Sequence, residues 1–339
     1  MADDWKRRID ELHENLVRRD DPAAWVTEAD AVEASYRYPD LLVRGPVFGV
    51  AAQERERPGE WRLLMPVISG TPQEARDGLN SHLWFRAKDE TDDPRERRGL
   101  LDAVAVLETD PVDEVEALGT RYRVVRADEF ARRGPEGLEP PRPTDPEPLD
   151  RTWESQRNRT WTDVGQLIDP DREEGLMAGA MKLGLRTFCY AGGAFSDEML
   201  RDAARAMGEY PEVALLPVGF SVVERHDGTW TTRGVLMPSP HDARRVLYDG
   251  LNEFWPLIYR LKEEDREAYG RAAKEFRAAG RTNDARVGGS LFRVCRIERA
   301  IRYGPDGPEP PRPSDTDQWG PMKLHPTMDD DGTIHHGSD

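Results

Sequence analysis

Two cysteines, Cys189 and Cys295, are all that the 339 residues contain, and no CxxC motif includes either. A disulfide framework is excluded, and a reducing cytoplasm is the expected setting. No apolar run approaches the length of a membrane span. The opening stretch, MADDWKRRIDELHENL, is charged throughout and is not expected to act as a signal peptide. Lysine is scarce, and the formal net charge is −17. That balance argues against non-specific nucleic-acid binding, which depends on neutralising phosphates with basic side chains. The seven histidines fall in no HExxH or comparable ligand spacing, and neither a P-loop lysine nor a GxGxxG run is present. The sequence therefore offers no catalytic, metal or cofactor-binding residues, and the weight falls against an enzyme.

What is present is a repeat. Gly134 to Asp145 reads GPEGLEPPRPTD, and Gly304 to Asp315 reads GPDGPEPPRPSD, with nine of twelve positions identical. Chance matching runs at about one position in twenty. The spacing is 304 − 134 = 170 residues. It holds upstream, where Tyr122, Arg123, Val124 and Arg126 match Phe292, Arg293, Val294 and Arg296. Further back Phe48, Val50 and Met65 match Phe220, Val222 and Met237 at 172. Thr71-Pro72 and Ser239-Pro240 match at 168, and both open a helix in the same terms. A hydroxyl caps the first amides, proline takes a position that needs no N–H, and an acid follows three residues after the cap. The Gly-Leu-Asn triplets at 78 and 250 match only at 172, in conflict with those helix starts.

Hydrophobic residues make up 37% of the chain, with nine tryptophans, so it folds, and one or two domains are expected. Apolar spacing predicts helices over Asp4–Arg19 and Thr27–Tyr36. Strands follow over Leu41–Ala52 and Trp61–Ile68, then the capped helix from Thr71, then an ambiguous helix or strand through Leu100–Leu107, then a hairpin around Gly119. Pro135–Pro148 is expected to run over the surface as polyproline II. The same order returns from Asp171. The fold class is therefore α+β: a tandem duplication of a helix-helix-strand-strand-helix-helix-hairpin unit, with antiparallel sheets in a pseudo-two-fold arrangement and a shared core. The divisions are 1–150 for the first copy, 151–318 for the second with 151–170 as linker, and 319–339 as a mobile acidic tail. Trp153 and Trp161 in the linker are expected to pack it onto the body.

The run FRVCRIERAIRYGPDGPEPPRPSD resembles the C-terminal signature of an uncharacterised actinobacterial family of unknown function, whose tail motif is GPxGxEPPRPxD. The abundance of arginine, proline and acid suits a high-GC genome. The resemblance brings no activity with it.

Functional candidates come from polar residues that recur in both copies. These are Arg76/Arg244, Arg123/Arg293, Arg126/Arg296, Glu139/Glu309, Arg142/Arg312 and Asp145/Asp315. Arginine forks suit anions. The plainer reading has Glu139 or Asp145 pair with arginines of the preceding strand and clamp each tail onto its own copy. Arg123 and Arg293 alternate with valines, as on an exposed sheet face. Candidate binding residues are Arg76, Arg244, Asn80, Asn252, Arg142 and Arg312. Ala191-Gly192-Gly193-Ala194 reads as a turn before a helix capped by Ser196, and Cys189 as a core residue. Two functions remain open. One is a protein-binding or scaffold module with an unknown protein partner, homodimerisation included. The other is an enzyme or binder of a small anionic ligand, with its site in the cleft between the copies.

Overall fold

A computed structural model describes residues 21–147, 153, 161–172, 175–193 and 195–336; the helix expected over Asp4–Arg19 lies outside them. The first helix, α1 (Pro22–Arg37), starts because the Asp21 carboxylate accepts from the amides of Ala23 and Ala24 and proline fills the first helical position. Two long strands follow as a hairpin, β1 (Asp40–Glu54) and β2 (Arg62–Ser69). Thr71 then caps α2 (Pro72–Asp89), and Asp93 caps α3 (Pro94–Thr109), which settles the ambiguous stretch as helix. A second hairpin, β3 (Glu114–Ala117) and β4 (Thr120–Gly134), turns at Leu118-Gly119 and runs into the short β5 (Gly137–Leu138).

The chain resumes with α4 (Leu176–Arg186) and with α5 (Asp197–Glu209), whose cap is Ser196 as expected. Strands β6 (Glu212–His226) and β7 (Thr229–Thr232) form a hairpin. Ser239 caps α6 (Pro240–Asp249), which passes through one wide π turn, Gly250–Phe254, into α7 (Trp255–Ile258). Helix α8 (Glu263–Ala279) and strands β8 (Asp284–Val287), β9 (Ser290–Gly304) and β10 (Gly307–Pro308) complete the second half. The helix starts match at 168, and Leu79 and Leu83 are buried as Leu247 and Leu251 are, so the Gly-Leu-Asn triplets stand at different places in their helices: Asn80 is buried, whereas Asn252 falls in the π turn and is exposed. Pro256 sits at the start of α7, just past that turn.

The fold is mixed α and β, built on one ten-stranded antiparallel sheet of central order β2-β1-β4-β9-β6-β7. Strands β4 and β9 meet in its middle, pairing Ala127 with Ile301 and Phe130 with Glu298. Helices α2 and α3 bury Leu79, Leu83, Trp84 and Leu100 against Phe48, Val50 and Val124. In the other half Leu247, Leu251, Trp255 and Phe276 pack onto Phe220, Val222, Phe292 and Val294. A third cluster joins residues from both halves, with Trp61, Val67, Val125 and Ala127 against Ala214 and Ile301.

Two expectations give way here. Residues 319–336, expected to be a mobile tail, lie along α2 and α3. The His325 ring stacks on Trp84 at 4.6 Å, the Trp84 indole donates to the Pro326 carbonyl, Met328 is buried, and β11 (Thr327–Met328) pairs with β12 (Ile334–His335). The apolar face left between two helices supplies the reason. The proline-rich stretch is not a surface polyproline run either: Gly137, Leu138, Glu139 and Asp145 are buried. Trp153 packs against Tyr248 and Phe276, and Trp161 lies half-buried beneath the Arg299 guanidinium at 4.6 Å.

Candidate functional site

The two central strands carry the repeated arginines, and those arginines hold the repeated tails. Arg123 is not on an exposed face. It is buried against the Trp61 ring at 4.6 Å, paired with Glu114 at 2.8 Å, and donates to the carbonyls of Asp306 at 2.9 Å and Pro308 at 3.2 Å. Arg293 pairs with Asp284 at 2.8 Å and donates to the carbonyls of Glu136 and Leu138, both at 3.1 Å. Each arginine thus grips the turn that follows the other central strand.

The clamp goes the same way. The backbone N–H of Arg126 donates to the Glu309 carbonyl and that of Arg296 to the Glu139 carbonyl, both at 2.9 Å. Arg126 Nε donates to Asp315 at 2.9 Å, and Arg296 Nε to Asp145 at 3.1 Å. The tails therefore clamp the opposite half, not their own as the sequence suggested. Antiparallel pairing is the cause: Phe130 lies opposite Glu298, so β4 ends beside Arg296 and its tail emerges there. Within each tail the glutamate pairs with the tail's own arginine, not with one of the preceding strand as the sequence suggested. Arg142 donates to Glu139 and Arg312 to Glu309, both at 2.6 Å.

Two buried ionic clusters result. In the first, Arg126 donates to Asp128 at 2.8 Å and to the Tyr190 hydroxyl at 2.8 Å, and that hydroxyl donates to the same Asp128 oxygen at 2.5 Å. The Tyr190 ring stacks on Phe195 with centroids 4.5 Å apart, and the Arg312 and Arg126 guanidinia lie 5.7 and 5.8 Å from its centre. Burial pushes the Asp128 carboxyl up, but Arg126, Arg312 and the Tyr190 hydroxyl outweigh it and hold it below the usual carboxylate range. Burial and the Asp128 charge raise the Tyr190 phenol, which therefore stays protonated.

In the second cluster Arg296 bonds Glu298, Arg142 lies 3.9 Å from the same Glu298 oxygen, and Arg132 Nε lies 3.6 Å from the other. Burial again pushes the Glu298 carboxyl up, and Arg296, Arg132 and Arg142 more than offset it. Glu298 Oε2 and Arg132 Nε have no hydrogen-bond partner.

This second cluster opens onto a cavity of about 470 Å³ between α1, α4 and the sheet. Among the described residues, five arginines line it, at 132, 142, 172, 296 and 299, against two carboxylates, Glu28 and Glu298. Glu28 accepts from the Met177 amide at the start of α4. Arg299, fully buried, donates to Asp163 at 3.2 Å and to the carbonyls of Val67 and Pro217. Besides Glu298, the acids that pair with Arg142, Arg296 and Arg299, namely Glu139, Asp145 and Asp163, do not line the cavity. Ala31, Met177, Met181, Leu215 and Leu216 supply an apolar wall.

Of the candidate residues, Arg142 lines the cavity and Arg312 lies over Tyr190 in the matching cluster. Arg76 is spent on Asp113 at 2.6 Å and Asp317 at 2.7 Å, and Arg244 on Glu147 and Asn283. Asn80 is buried and Asn252 exposed, and neither lines the cavity. Sequence reasoning missed Arg132 and Glu298, although they recur at 170 as Arg302 and Asp128. It also missed Arg299, which stands opposite an acid, Glu129, in the repeat and so leaves no signal there. Among the described residues no histidine lines the cavity, and no group of His, Cys, Asp and Glu could hold a metal ion. Cys295 is buried, and burial pushes its thiol up. No helix among the described residues is long and apolar enough to cross a membrane.

A family model described as a family of unknown function (DUF5954) matches residues 21–318. No curated protein and no solved structure matches the chain.

Proposed function

The chain belongs to this family of unknown function, which supplies no activity to carry over, and we propose from the geometry that it binds a small organic anion with an apolar body in the cleft between two duplicated halves. One observation carries the reading. In a chain of net charge −17, the described residues that wall a cavity of about 470 Å³ include five guanidinium groups and two carboxylates beside a methionine and leucine surface. Such a site is of the size that small-molecule sites have, and it sets charged groups against an apolar wall. Arginine forks suit a carboxylate head.

The duplication belongs to the same reading. Exchanging Phe130 and Glu298 for the residues 170 away gives Ala300 and Asp128, which are themselves paired, as a two-fold axis between β4 and β9 requires. The crossed tails, and Gly137 beneath Trp230 as Gly307 lies beneath Trp61, support it too. Free Cys189 and Cys295 are in keeping with a reducing cytoplasm.

The test is a thermal-shift screen of the full chain against aryl and alkyl carboxylates, repeated on Arg132→Met. A rise in melting temperature that follows ligand concentration, and is lost in the variant, is expected. A flat screen with well-folded protein overturns the reading. A second reading, a protein-binding module, is favoured by the exposed Val235, Phe254, Leu257, Ile258 and Tyr259 around α7. Self-association abolished by Leu257→Asp, followed by sedimentation, is its test.

A further inference from the structure

We infer that residues 1–20 dock on the body of their own chain as the counterpart of α4, with the carbonyls at the end of the helix expected over Asp4–Arg19 set on Arg132. The inference goes beyond the small-anion reading and stands whether or not an anion enters the cavity.

Arg132 and Arg302, 170 residues apart, carry the argument. Arg302 is saturated. Its guanidinium donates to the carbonyls of Leu185, Arg186 and Phe188, at the C-terminus of α4 and just past it, at 3.0, 3.4 and 2.5 Å, and to that of Tyr210 at 3.4 Å. These are carbonyls that a helix end leaves without a partner, and a cation there also meets the negative end of the helix dipole. The Arg132 side chain is only 11% exposed, yet its guanidinium makes no hydrogen bond among the described residues, and its ion pair with Glu298 is long, at 3.6 Å. Of its nitrogens only Nε is sealed from solvent, so the two terminal ones can be reached. A guanidinium so deeply placed and so poorly bonded calls for acceptors.

The repeat shows which segment supplies them. At the spacing of 172 that relates Tyr38 to Tyr210, Trp5, Ile9 and Leu16 match Met177, Met181 and Phe188. Met181 and Phe188 pack α4 and the turn after it onto Val213 and Leu215 of β6. At the same spacing Val213 matches Leu41, and Leu215 matches Val43. Val213 is 2% exposed, whereas Leu41 is 41% exposed. The sequence thus holds an apolar stripe of the kind that α4 has, and the sheet holds, uncovered, the match of a residue that α4 covers. The chain is placed to join the two. Asp21 caps α1, and Thr27, Glu28 and Ala31 of α1 line the same cavity as Arg132. The stretch from Leu16 to Asp21 reaches up to about 17 Å when extended. That carries the carbonyls of His13, Glu14 and Leu16, the matches of those that Arg302 holds, across the cavity to Arg132. A carboxylate that reaches Arg132 must displace them, so the segment also governs access to the anion site.

Hydrogen exchange of the full chain, followed by mass spectrometry, tests this. Amides in residues 8–19 are expected to exchange at least about tenfold more slowly than in an unstructured peptide. In Ile9→Asp that protection should fall below about threefold, while β9 stays protected and reports a folded body. Arg132→Met should lower the protection of residues 8–19 by about threefold or more. Leu41→Asp should do likewise, at an exposed position where the body alone would tolerate the change. Unprotected amides over residues 8–19 in the parent overturn the inference, and so does protection that Arg132→Met and Leu41→Asp leave unchanged.

Discussion

The Asp128 and Glu298 clusters are alike in composition and unlike in closure. Around Asp128 one carboxylate oxygen accepts from both Arg126 and Tyr190, and Arg126 in turn holds a tail carboxylate, Asp315, from the opposite half. Around Glu298 the matching tail and the matching arginine are present, but one carboxylate oxygen and one guanidinium nitrogen are buried without a partner, in side chains that border a cavity. A satisfied ionic network fastens the fold, and an incompletely satisfied one is where a ligand can contribute. The difference teaches that one ionic design can serve as a rivet in one half of a sheet and, on the reading proposed above, as a binding surface in the other half of the same face.

The largest expected effect separates the two arginines. Arg126→Ala leaves Asp128 and Asp315 buried without their shared partner and should cost about 3–5 kcal/mol of stability. Arg296→Ala leaves Glu298 beside Arg132 and Arg142 and next to the cavity, and should cost roughly 2 kcal/mol. Denaturant titration of both variants checks the ranking, and equal losses would end the distinction between rivet and binding surface.

Next come the two tail glycines. A Cβ on Gly307, at φ +108°, would meet Trp61 Nε1 at 2.2 Å, and one on Gly137, at φ +107°, would meet Trp230 at 2.7 Å. Backbone strain is the same, but Trp61 is fully buried whereas Trp230 is half-exposed and can move. Gly307→Ala is expected to lose about 2–4 kcal/mol and Gly137→Ala about 1–2 kcal/mol, again by denaturant titration.

Tyr190→Phe removes the donor from Asp128 and should cost about 1–3 kcal/mol. It should also change the acid limb. Asp128 is depressed in the folded state, so the stability it brings is present above its unfolded value of about 4 and is lost as pH falls through the folded value. Without the phenol the folded value rises, and the loss begins at higher pH. Melting temperature from pH 7 to pH 3 reads this, and superimposable acid limbs for the variant and the parent would contradict it.

Much of the fold was legible because it is local. Thr71-Pro72 and Ser239-Pro240 each announce a capped helix, and the alternation through Phe48 and Val50 announces a strand. The destination of the tails was not legible. It depends on Phe130 lying opposite Glu298, a pairing between residues far apart in sequence that no local pattern encodes. The packing of residues 319–336 was hidden for a related reason: their charge suggested solvent, whereas Met328 and Ile334 had a helical groove to fill. The cavity was half legible. Arg132 and Glu298 recur in the repeat and could have been found there, but Met177, Leu215 and Arg299 meet only through the tertiary fold.

The smallest effect concerns what each tail shares with its own half. Thr144 donates its backbone N–H at 3.1 Å and its hydroxyl at 2.7 Å to Asp30 of α1, and the Ser314 amide donates to Asp202 of α5 at 2.9 Å. These contacts are half-exposed and join a tail to the helix of its own half, so they set where the tail turns and add little to holding the halves together. Thr144→Val keeps the shape and the backbone bond and loses one hydrogen bond, for about 1 kcal/mol. In the Asp30→Ala background the same change should cost almost nothing, since the acceptor is gone. Were Thr144→Val to cost as much as Arg126→Ala, stability would rest on the link to α1 as heavily as on the crossed clamps, and the contrast between the two kinds of contact would fail.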